Sequence, residues 1–451
     1  MSVGVISNAL MQDLVHIVGS GNVVTGPRAL DVYAQTDGRN ADLIRVMPKT
    51  TEEVAAVVNV AREHGQKVYS VRGKIFPDGL EGKEGILIDA ANLNEIKKID
   101  SRNLMAHIGA GVTFEQLERE LDKQDLCLLM PGSAESPYVV RSYLERDTLV
   151  GSVGFRQPNL SVFHAILPNG SKWMSGTLQL TEDGANFRED QGPQLSLIFG
   201  GSEDIYGIPV FGIVYIYPRK SERQVFAYSF KKLEDALEFS YRVSRNEHCF
   251  EIAGGDDTWW TSLTGTSLDP GGWTVLMSIE QHKKLVDNQA GQVAALAKDL
   301  NAKALGKDVV STLGQTLGRP WYLLDRATVK GRIEAVKYYT FAGKVPSLFN
   351  AASGALKGMS VGKGFIPAYY GGSFFCELDI HHDQKDAAPA GPDLARQQGV
   401  KLVHVPYKGV SPQIQDLAGG QVGQSDQHVV VRVDAEYFLH ECFLIASYRP
   451  K

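Results

Sequence analysis

Short glycine-bearing runs with charged or hydroxyl side chains recur in the first half of the chain. The first is Arg72-Gly73-Lys74-Ile75, which follows a strand-like run at 67–71. Backbone N–H groups in a glycine turn can point at a phosphate, and a nearby cation strengthens its binding. The run therefore predicts a phosphate site at the end of a strand. The alternative is a surface turn with two solvated charges.

Two further glycine-bearing runs bracket a long irregular segment. Pro131-Gly132-Ser133 opens it, and Val150-Gly151-Ser152-Val153-Gly154 comes later. Long irregular segments within a compact domain are usually functional or disordered. Strong helix and strand signals flank this one, so we predict a ligand-binding loop. In the alternative, these glycines serve only turns, and Gly200 of the later run G-G-S-E-D-I-Y-G-I caps a helix.

Three side chains are candidates for catalysis. The carboxylate of Glu145 could act as a general base or stabilise developing positive charge. It lies in the triplet Glu145-Arg146-Asp147, so a surface ion-pair cluster is the alternative. Tyr369 and Tyr370 precede two glycines and a predicted strand, and tyrosine hydroxyls can stabilise a phenolate or carboxylate. An aromatic core strand is the competing interpretation of the tyrosines.

Four polar residues near the end of that strand raise the question of a metal. Successive strand residues point to opposite faces, so Glu377 and Asp379 share one face while His381 and His382 point apart. A polar strand end is therefore our prediction, with no metal bound, and a metal site is the alternative.

The elements that position these residues follow from hydrophobic spacing and turn residues. A β-α-β unit is predicted from a strand at 43–47, a helix at 54–64 and a strand at 67–71. Thr113 and Gln116 have the capping-box spacing at the start of a helix over 114–123. Further elements are predicted as strands at 85–89, 104–108, 126–130, 209–217, 222–230, 273–280 and 369–380, a hairpin of 162–167 with 172–175, and helices at 192–199, 233–246 and 289–300. We expect 301–365 to be helical or loop-like.

Composition excludes several function classes. The 451 residues are 43% hydrophobic and carry a net charge of −6, which argues against nucleic acid or a membrane surface as partner. The longest apolar runs, such as 205–217, are too short and glycine-broken to span a bilayer. The N-terminus shows no secretory signal. Four widely spaced cysteines predict neither zinc nor disulfides, so we expect a cytoplasmic protein.

The first 220 residues resemble the flavin-binding domain of the vanillyl-alcohol oxidase / p-cresol methylhydroxylase (PCMH) superfamily. The resemblance rests on five motifs in the family's order and at roughly its spacings. They are T-T-E-E-V at 50–54, R-G-K at 72–74, I-G-A-G-V-T-F-E-Q-L at 108–117, L-P-N-G at 167–170 and G-G-S-E-D-I-Y-G-I at 200–208.

The resemblance implies an α+β fold: a two-subdomain PCMH-type FAD-binding domain plus an α+β cap (substrate) domain with an antiparallel sheet. We expect the FAD-binding domain over 1–219, the cap domain over 220–385, and a C-terminal segment over 386–451 that returns toward the FAD domain. The implied cofactor-binding residues are Arg72, Gly73, Lys74, Ile75, Pro131, Gly132, Ser133, Val150, Gly151, Gly154, Gly200, Ser202, Glu203, Gly207, Ile208 and Ile213. Aligned with the family, Glu145 falls beside the flavin N5.

The implied activity is an FAD-dependent oxidase or dehydrogenase that takes a hydride from an alcohol, a 2-hydroxy acid or a para-substituted phenol to flavin N5. Neither the R-G-K loop nor Pro131-Gly132-Ser133 contains a histidine or cysteine, so we expect non-covalent FAD, with attachment through the second domain left open. Expected partners are a small-molecule substrate, an electron-acceptor protein, and further copies or subunits. The alternative is a degenerate, non-catalytic subunit of a larger complex, because the R-G-K loop has few glycines and the family's C-terminal motif is absent.

Overall fold

The predicted β-α-β unit is part of a four-stranded sheet. The computed structural model describes residues 8–33, 41–71, 73, 82–134, 136–145, 150, 159–176, 195–202, 204–265, 267–268, 271–322, 331–368 and 371–383, with short strands at 403–404, 429–431 and 444–446. The first elements are α1 (Asn8–Val18), β1 (Val23–Val24), β2 (Asp42–Val46), α2 (Thr51–Glu63), β3 (Val68–Ser70) and β4 (Glu84–Ile88). The strand order is β1-β2-β4-β3, and β2, β4 and β3 are parallel.

A second sheet is five-stranded and antiparallel. Its strands are β5 (Ile96–Asp100), β6 (Met105–Gly109), β8 (Leu160–Ile166), β9 (Lys172–Met174) and β10 (Ile208–Tyr215), in the order β5-β6-β10-β8-β9. The predicted hairpin is confirmed as β8–β9, with the turn at the Asn-Gly pair. Between β6 and β8 lie α3 (Phe114–Asp122), β7 (Leu126–Cys127) and α4 (Val139–Leu144).

Two glycines allow the end of β6 to lie against neighbouring backbone. A Cβ atom at Gly109 would lie 2.0 Å from the carbonyl oxygen of Leu93, and one at Gly111 would lie 2.0 Å from that of Ala90. The Gly109 N–H bonds Glu95 O, and the Gly111 N–H bonds Leu93 O. These glycines therefore provide room for the protein's own backbone.

Several local predictions need correction. The long segment after Pro131 is not wholly irregular, because V-V-R-S-Y-L forms the buried helix α4. The strand predicted at 126–130 ends at Cys127. In the described part of the helix predicted at 192–199 there is a short 3-10 turn, Leu195–Ile198. The Thr113 hydroxyl accepts from the Gln116 N–H as expected, but the Gln116 side chain donates to Asn94 O instead of completing the capping box.

The remaining elements build a ten-stranded antiparallel sheet with α-helices on its faces. Its strand order is β15-β12-β14-β13-β17-β18-β16-β21-β20-β19. The bounds are β11 (Tyr217–Pro218), β12 (Glu222–Phe230), α5 (Leu233–Arg245), β13 (Glu251–Asp256), α6 (Asp257–Thr264), β14 (Trp273–Gln281), α7 (Lys283–Asp299), β15 (Lys303–Ala304), α8 (Lys307–Gly314), β16 (Gly331–Thr340), α9 (Val345–Ala355), β17 (Ser360–Ala368), β18 (Ser373–Asp383), β19 (Val403–His404), β20 (Val429–Val431) and β21 (Leu444–Ala446). The expectation that 301–365 lacks strands is wrong, because β16 and β17 occupy the middle of this sheet.

The two faces of the ten-stranded sheet differ. Helices α5, α7 and α9 cover one face with aliphatic and aromatic core residues. The other face packs against α6, α8, Trp321 and Val150. Gly362 and Gly364 of β17 lie beneath Trp259, whose ring would be 2.1 Å from a Cβ at Gly364. Trp259 and Trp260 are buried and pack this face of the sheet.

A short ribbon leads from the second sheet to the third. β7 pairs with β11, with Cys127 opposite Tyr217. The next residue after β11, Arg219, contacts the carboxylates of Glu118 and Asp122 on α3. Burial, the largest effect, raises the pKa of the Cys127 thiol to about 12. Most of 386–451 lies outside the described residues, so the predicted domain division and the return of that segment stay predictions. Within the described ranges, no helix is long and apolar enough to cross a membrane.

A buried carboxylate occupies one end of the third sheet. The Arg223 Nη2 lies 2.7 Å from Glu251 Oε2, and its Nε lies 3.1 Å from Glu280 Oε1. The Gly318 N–H also donates to Glu251. Burial outweighs these favourable contacts and raises the pKa of Glu251 to about 7, with Glu280 adding to the rise. The folded state therefore holds a proton on Glu251 over a pH range in which the unfolded chain releases it.

Replacing Gly109 or Gly111 with alanine should destabilise the fold by about 1–3 kcal/mol, because the new methyl group overlaps a backbone carbonyl that cannot rotate away. Urea unfolding measures this change. Gly291→Ala in α7 is the control, since nothing lies within 4 Å of its Cβ position. It should be neutral or stabilise by about 0.5–1 kcal/mol. Equal losses for all three variants would contradict the close approach.

The raised pKa of Glu251 predicts that its contribution to stability is full below about pH 4.5 and is lost as the pH rises toward 7. In urea unfolding at about pH 5 and about pH 8, Glu251→Gln should reduce the wild-type loss of stability by about 1–3 kcal/mol. Burial also raises the pKa of Glu118 to about 7, so Glu118 supplies part of the remaining loss of stability. Exposed Glu222→Gln is the control and should retain the wild-type pH dependence. An unchanged pH dependence in Glu251→Gln would disprove the assignment.

Candidate functional site

The carboxyl ends of the three parallel strands meet at one edge of the first sheet. Ser70 ends β3, and buried Gly73 follows it. Asp89 follows β4, and its N–H bonds Val46 O at the end of β2. Ligands of open parallel sheets bind outside this edge. Arg72, Lys74 and Ile75 lie outside the described residues, so their predicted roles stay predictions.

Two arginine–aspartate pairs lie at the same edge. Arg141 Nη1 is 2.5 Å from Asp204 Oδ2, and the Ser70 hydroxyl also donates to that oxygen. Arg45 Nη1 is 3.8 Å from Asp89 Oδ2. Burial raises the pKa of Asp89, while the Ala91 N–H and the two arginines act in the opposite direction. Arg141 is 2% exposed, and a charged side chain is rarely buried this completely unless it is paired.

The sequence interpretation missed these four charged residues. One signal was present, because Arg141 is a single cation within the apolar run V-V-R-S-Y-L. Asp204 had no such signal, since an aspartate in a glycine-rich turn is ordinary. Its pairing with Arg141 depends on the tertiary fold.

The Pro131-Gly132-Ser133 run lies between the second and third sheets. The Trp321 N–H donates to Pro131 O and the Ala134 N–H donates to Trp321 O, each at 2.9 Å. A Cβ at Gly132 would lie 2.6 Å from Ile366 Cδ1 and 2.7 Å from Val150 Cγ2. The structure thus brings Val150 to this run and packs both against the ten-stranded sheet.

A buried polar cluster joins Ser133 to the large sheet. The Ser133 hydroxyl donates to Glu377 Oε1 at 2.6 Å, and Trp259 Nε1 donates to Glu377 Oε2 at 3.3 Å. Lys337 lies opposite Glu377 in the β16–β18 register, and its ammonium donates to Ser133 O at 3.3 Å. Glu377 is 1% exposed. An ionisable pair and a hydroxyl therefore meet where the two halves of the chain touch.

Asp379 lies on the same face as Glu377, as the strand periodicity predicted. It accepts a hydrogen bond from the Ser262 hydroxyl at 3.2 Å. Glu377 and Asp379 thus have different partners. Within the described ranges, no group of three or more His, Cys, Asp or Glu side chains could hold a metal ion.

The other predicted site residues are distributed over the second sheet and the segments that flank it. Glu145 is half-buried directly after α4, and its N–H bonds Arg141 O. The buried Ser202 hydroxyl donates to Phe199 O, so it caps the 3-10 turn. Gly200 is half-buried, Gly207 lies close to Ile166 O, and Ile208 begins β10. Ile213 is fully buried in the core between β6 and β8. Gly151, Gly154, Glu203, Tyr369 and Tyr370 lie outside the described residues.

These features suit a flavin dinucleotide in two respects. The strand-end edge offers the buried Arg141 and the half-buried Arg45, and Arg141 Nη1 makes no hydrogen bond of good geometry among the described residues, although it lies next to Asp204. Arginine is well adapted to bind phosphate oxygens. The Gly132 backbone, with Val150, Ile366 and Trp321 around it, offers an apolar wall for a planar ring. Anionic and apolar parts of one ligand could therefore contact separate parts of the chain.

Comparison with known proteins agrees with this description. The profile of an FAD binding domain family matches residues 43–142. A 1'-carboxy-chondrochloren decarboxylase from Chondromyces crocatus is 28% identical over 189 residues, which is 40% of this chain and 35% of that protein. A D-lactate dehydrogenase from Archaeoglobus fulgidus is 25% identical over 211 residues, 45% of each chain. The chain thus spans less than half the length of these curated relatives.

The fold is similar to that of a solved structure as well. p-Cresol methylhydroxylase with substrate bound has a TM-score of 0.72 and 16% identity, and the match covers 87% of this chain and 85% of the other. The predicted α+β architecture, with an FAD-binding part and an antiparallel cap sheet, is confirmed. The FAD binding domain at 43–142 also confirms the predicted cofactor, FAD. Residues 43–142 thus match an FAD binding domain family, and the fold of the chain is similar to that of p-cresol methylhydroxylase.

Proposed function

We propose that the chain is an FAD-dependent oxidoreductase that takes a hydride from an alcohol, a 2-hydroxy acid or a para-substituted phenol. The observation that carries this proposal is the contact of Ser133 with Glu377. It joins the predicted cofactor segment to a buried polar cluster on the ten-stranded sheet. Bound FAD supplies a hydride acceptor at N5. The electrons then pass to oxygen or to an acceptor protein.

The cofactor would be held by residues of the first two sheets. Gly73 lies at the strand-end edge, and we assign the phosphate contacts to its neighbours Arg72 and Lys74. Gly132 and Val150 offer the apolar wall described above. With no histidine or cysteine beside these residues, we propose that FAD is bound without a covalent bond. We also propose the remaining predicted cofactor contacts, which are Gly151, Gly154, Gly200, Ser202, Glu203, Gly207, Ile208 and Ile213.

The substrate would lie against the face of the ten-stranded sheet that carries Lys337 and Glu377. The Lys337 ammonium is half-buried beside the Ser133 carbonyl, so it offers positive charge to a carboxylate or phenolate. We assign Tyr369 and Tyr370, which connect β17 to β18, to the same substrate side. Glu377 fixes this face to the cofactor segment and so sets the distance between the two reactants.

Glu145 is our candidate for managing charge at the reaction. It follows α4 directly, and its backbone is fixed by the bond to Arg141 O. A half-buried carboxylate can accept the proton of a substrate hydroxyl or stabilise positive charge. We propose one of these roles for Glu145 as the hydride leaves the substrate carbon.

Purified protein should be yellow, and acid precipitation should release its FAD. In anaerobic stopped-flow mixing, one class among 2-hydroxy acids, simple alcohols and para-alkylphenols should bleach the flavin. Glu145→Gln should slow bleaching by about 10²-fold or more, because a positioned acid or base contributes that much. Glu115→Gln, on the exposed side of α3, is the matched control and should leave the rate unchanged.

Colourless protein that takes up no added FAD would refute the enzyme assignment and favour a non-catalytic subunit. If Glu145→Gln retains its FAD and is bleached at the normal rate, only the role assigned to Glu145 is disproved.

The Ser133–Glu377 contact can be tested by a double-mutant cycle. Ser133→Ala and Glu377→Gln should each cost about 1–3 kcal/mol of unfolding free energy, and the double variant should cost less than the sum because the two side chains bond each other. Both should shift the visible flavin spectrum. Ser262→Ala removes a comparable buried bond to Asp379 and should lower stability without that shift. Additive losses and an unchanged spectrum would show that the contact is unrelated to the flavin.

A further inference from the structure

We propose that Asp204 is an internal stand-in for a cofactor phosphate: it neutralises Arg141 in the protein without cofactor, and Arg141 exchanges it for an anionic group when FAD binds. The proposal rests on FAD binding as proposed above. It makes Arg141 a cofactor-binding residue and Asp204 a residue that weakens binding.

The pair joins three segments near the carboxyl edge of the parallel strands. Arg141 lies in α4, and Asp204 lies in the glycine-rich turn before β10. Ser70, which also donates to Asp204, ends β3 and precedes the Arg72-Gly73-Lys74 run by one residue. A ligand at the carboxyl edge of the parallel strands would therefore lie close to Arg141 and Asp204.

The pair is incompletely satisfied. Asp204 Oδ1 and Arg141 Nη1 are both buried, and neither makes a hydrogen bond of good geometry within the described ranges. A buried ion pair recovers its desolvation cost only when further hydrogen bonds complete it. A phosphate offers several oxygens to one guanidinium and can bind in the bidentate manner, which Asp204 does not achieve here. Exchange of Asp204 for phosphate therefore improves the bonding of Arg141.

Charge balance shows which aspartate can leave. Two arginines, Arg45 and Arg141, face two aspartates, Asp89 and Asp204. Asp89 is fixed, because its N–H bonds Val46 O and its carboxylate caps Ala91. Asp204 lies in a turn and has a φ of 65°, a left-handed conformation that is unfavourable for residues other than glycine, asparagine and aspartate. The replaceable negative charge is therefore that of Asp204.

Substituting Asp204 with asparagine separates charge from shape. Asparagine has nearly the same size and also tolerates positive φ. Asp204→Asn leaves Arg141 with an uncompensated charge that an incoming phosphate can neutralise. Arg141→Met alone would leave Asp204 buried and unpaired, so we combine it with Asp204→Asn to obtain a neutral pair.

The test measures equilibrium binding of FAD, ADP and riboflavin to the full chain after FAD removal, by fluorescence at fixed ionic strength. Asp204→Asn should bind FAD and ADP about tenfold more tightly than wild type, while riboflavin, which lacks phosphate, should bind unchanged. The Arg141→Met/Asp204→Asn variant should lose that gain. Asp122→Asn, which removes one of the two carboxylate partners of Arg219, is the control and should bind all three ligands like wild type.

The outcomes distinguish this inference from the proposed function. If wild type binds FAD and a folded Asp204→Asn variant does not bind it more tightly, the inference is wrong and the proposed function stands. If only Asp204→Asn takes up FAD, the native chain does not make the exchange, and both the inference and the proposed function are wrong. If no variant binds FAD or ADP, both are wrong. Tighter riboflavin binding in Asp204→Asn would also overturn the inference, since the gain would not depend on phosphate.

Discussion

The fit of Pro131-Gly132-Ser133 between two sheets is the constraint on which the rest of the structure depends. Its backbone bonds Trp321, its glycine admits Ile366 and Val150, and its serine bonds Glu377. Polar backbone groups buried at such a boundary are costly unless they are paired. The hydrogen bonds with Trp321 meet this requirement, so the two halves of the chain can pack together without leaving these backbone groups unpaired.

Close packing against glycines also recurs in the structure. Gly109 and Gly111 bring the end of β6 against the backbone at 90–95, and Gly362 and Gly364 leave room for Trp259. Trp259 in turn donates to Glu377. Glycine in a strand loses stabilising contacts of its own, but here it admits a larger group from a neighbouring element. The position of the Glu377 carboxylate thus depends on the space that the glycines of β17 leave for Trp259.

Much of the fold follows from local patterns in the sequence. The strand at 222–230 and the hairpin at the Asn-Gly turn have clear periodicity or turn chemistry, and the structure contains both. α4 and β17 were missed because their signals are tertiary: α4 is a buried helix of six residues, and β17 contains glycines that local propensity counts against a strand. The candidate site shows the same division. The Pro131-Gly132-Ser133 run was predictable from its composition, whereas its contact with Glu377 and the Arg141–Asp204 pair join residues distant in sequence.

The ribbon between β7 and β11 has a consequence for the chemistry of Cys127. Its thiol is buried against the strand that leads into the large sheet, and its pKa of about 12 keeps it protonated at neutral pH. Only the thiolate reacts readily with alkylating reagents or oxidants. The thiol therefore becomes reactive only while the ribbon is open and solvent reaches it. Cys127 has no part in the proposed reaction, and the rate at which it is alkylated would report how often the two halves of the chain separate.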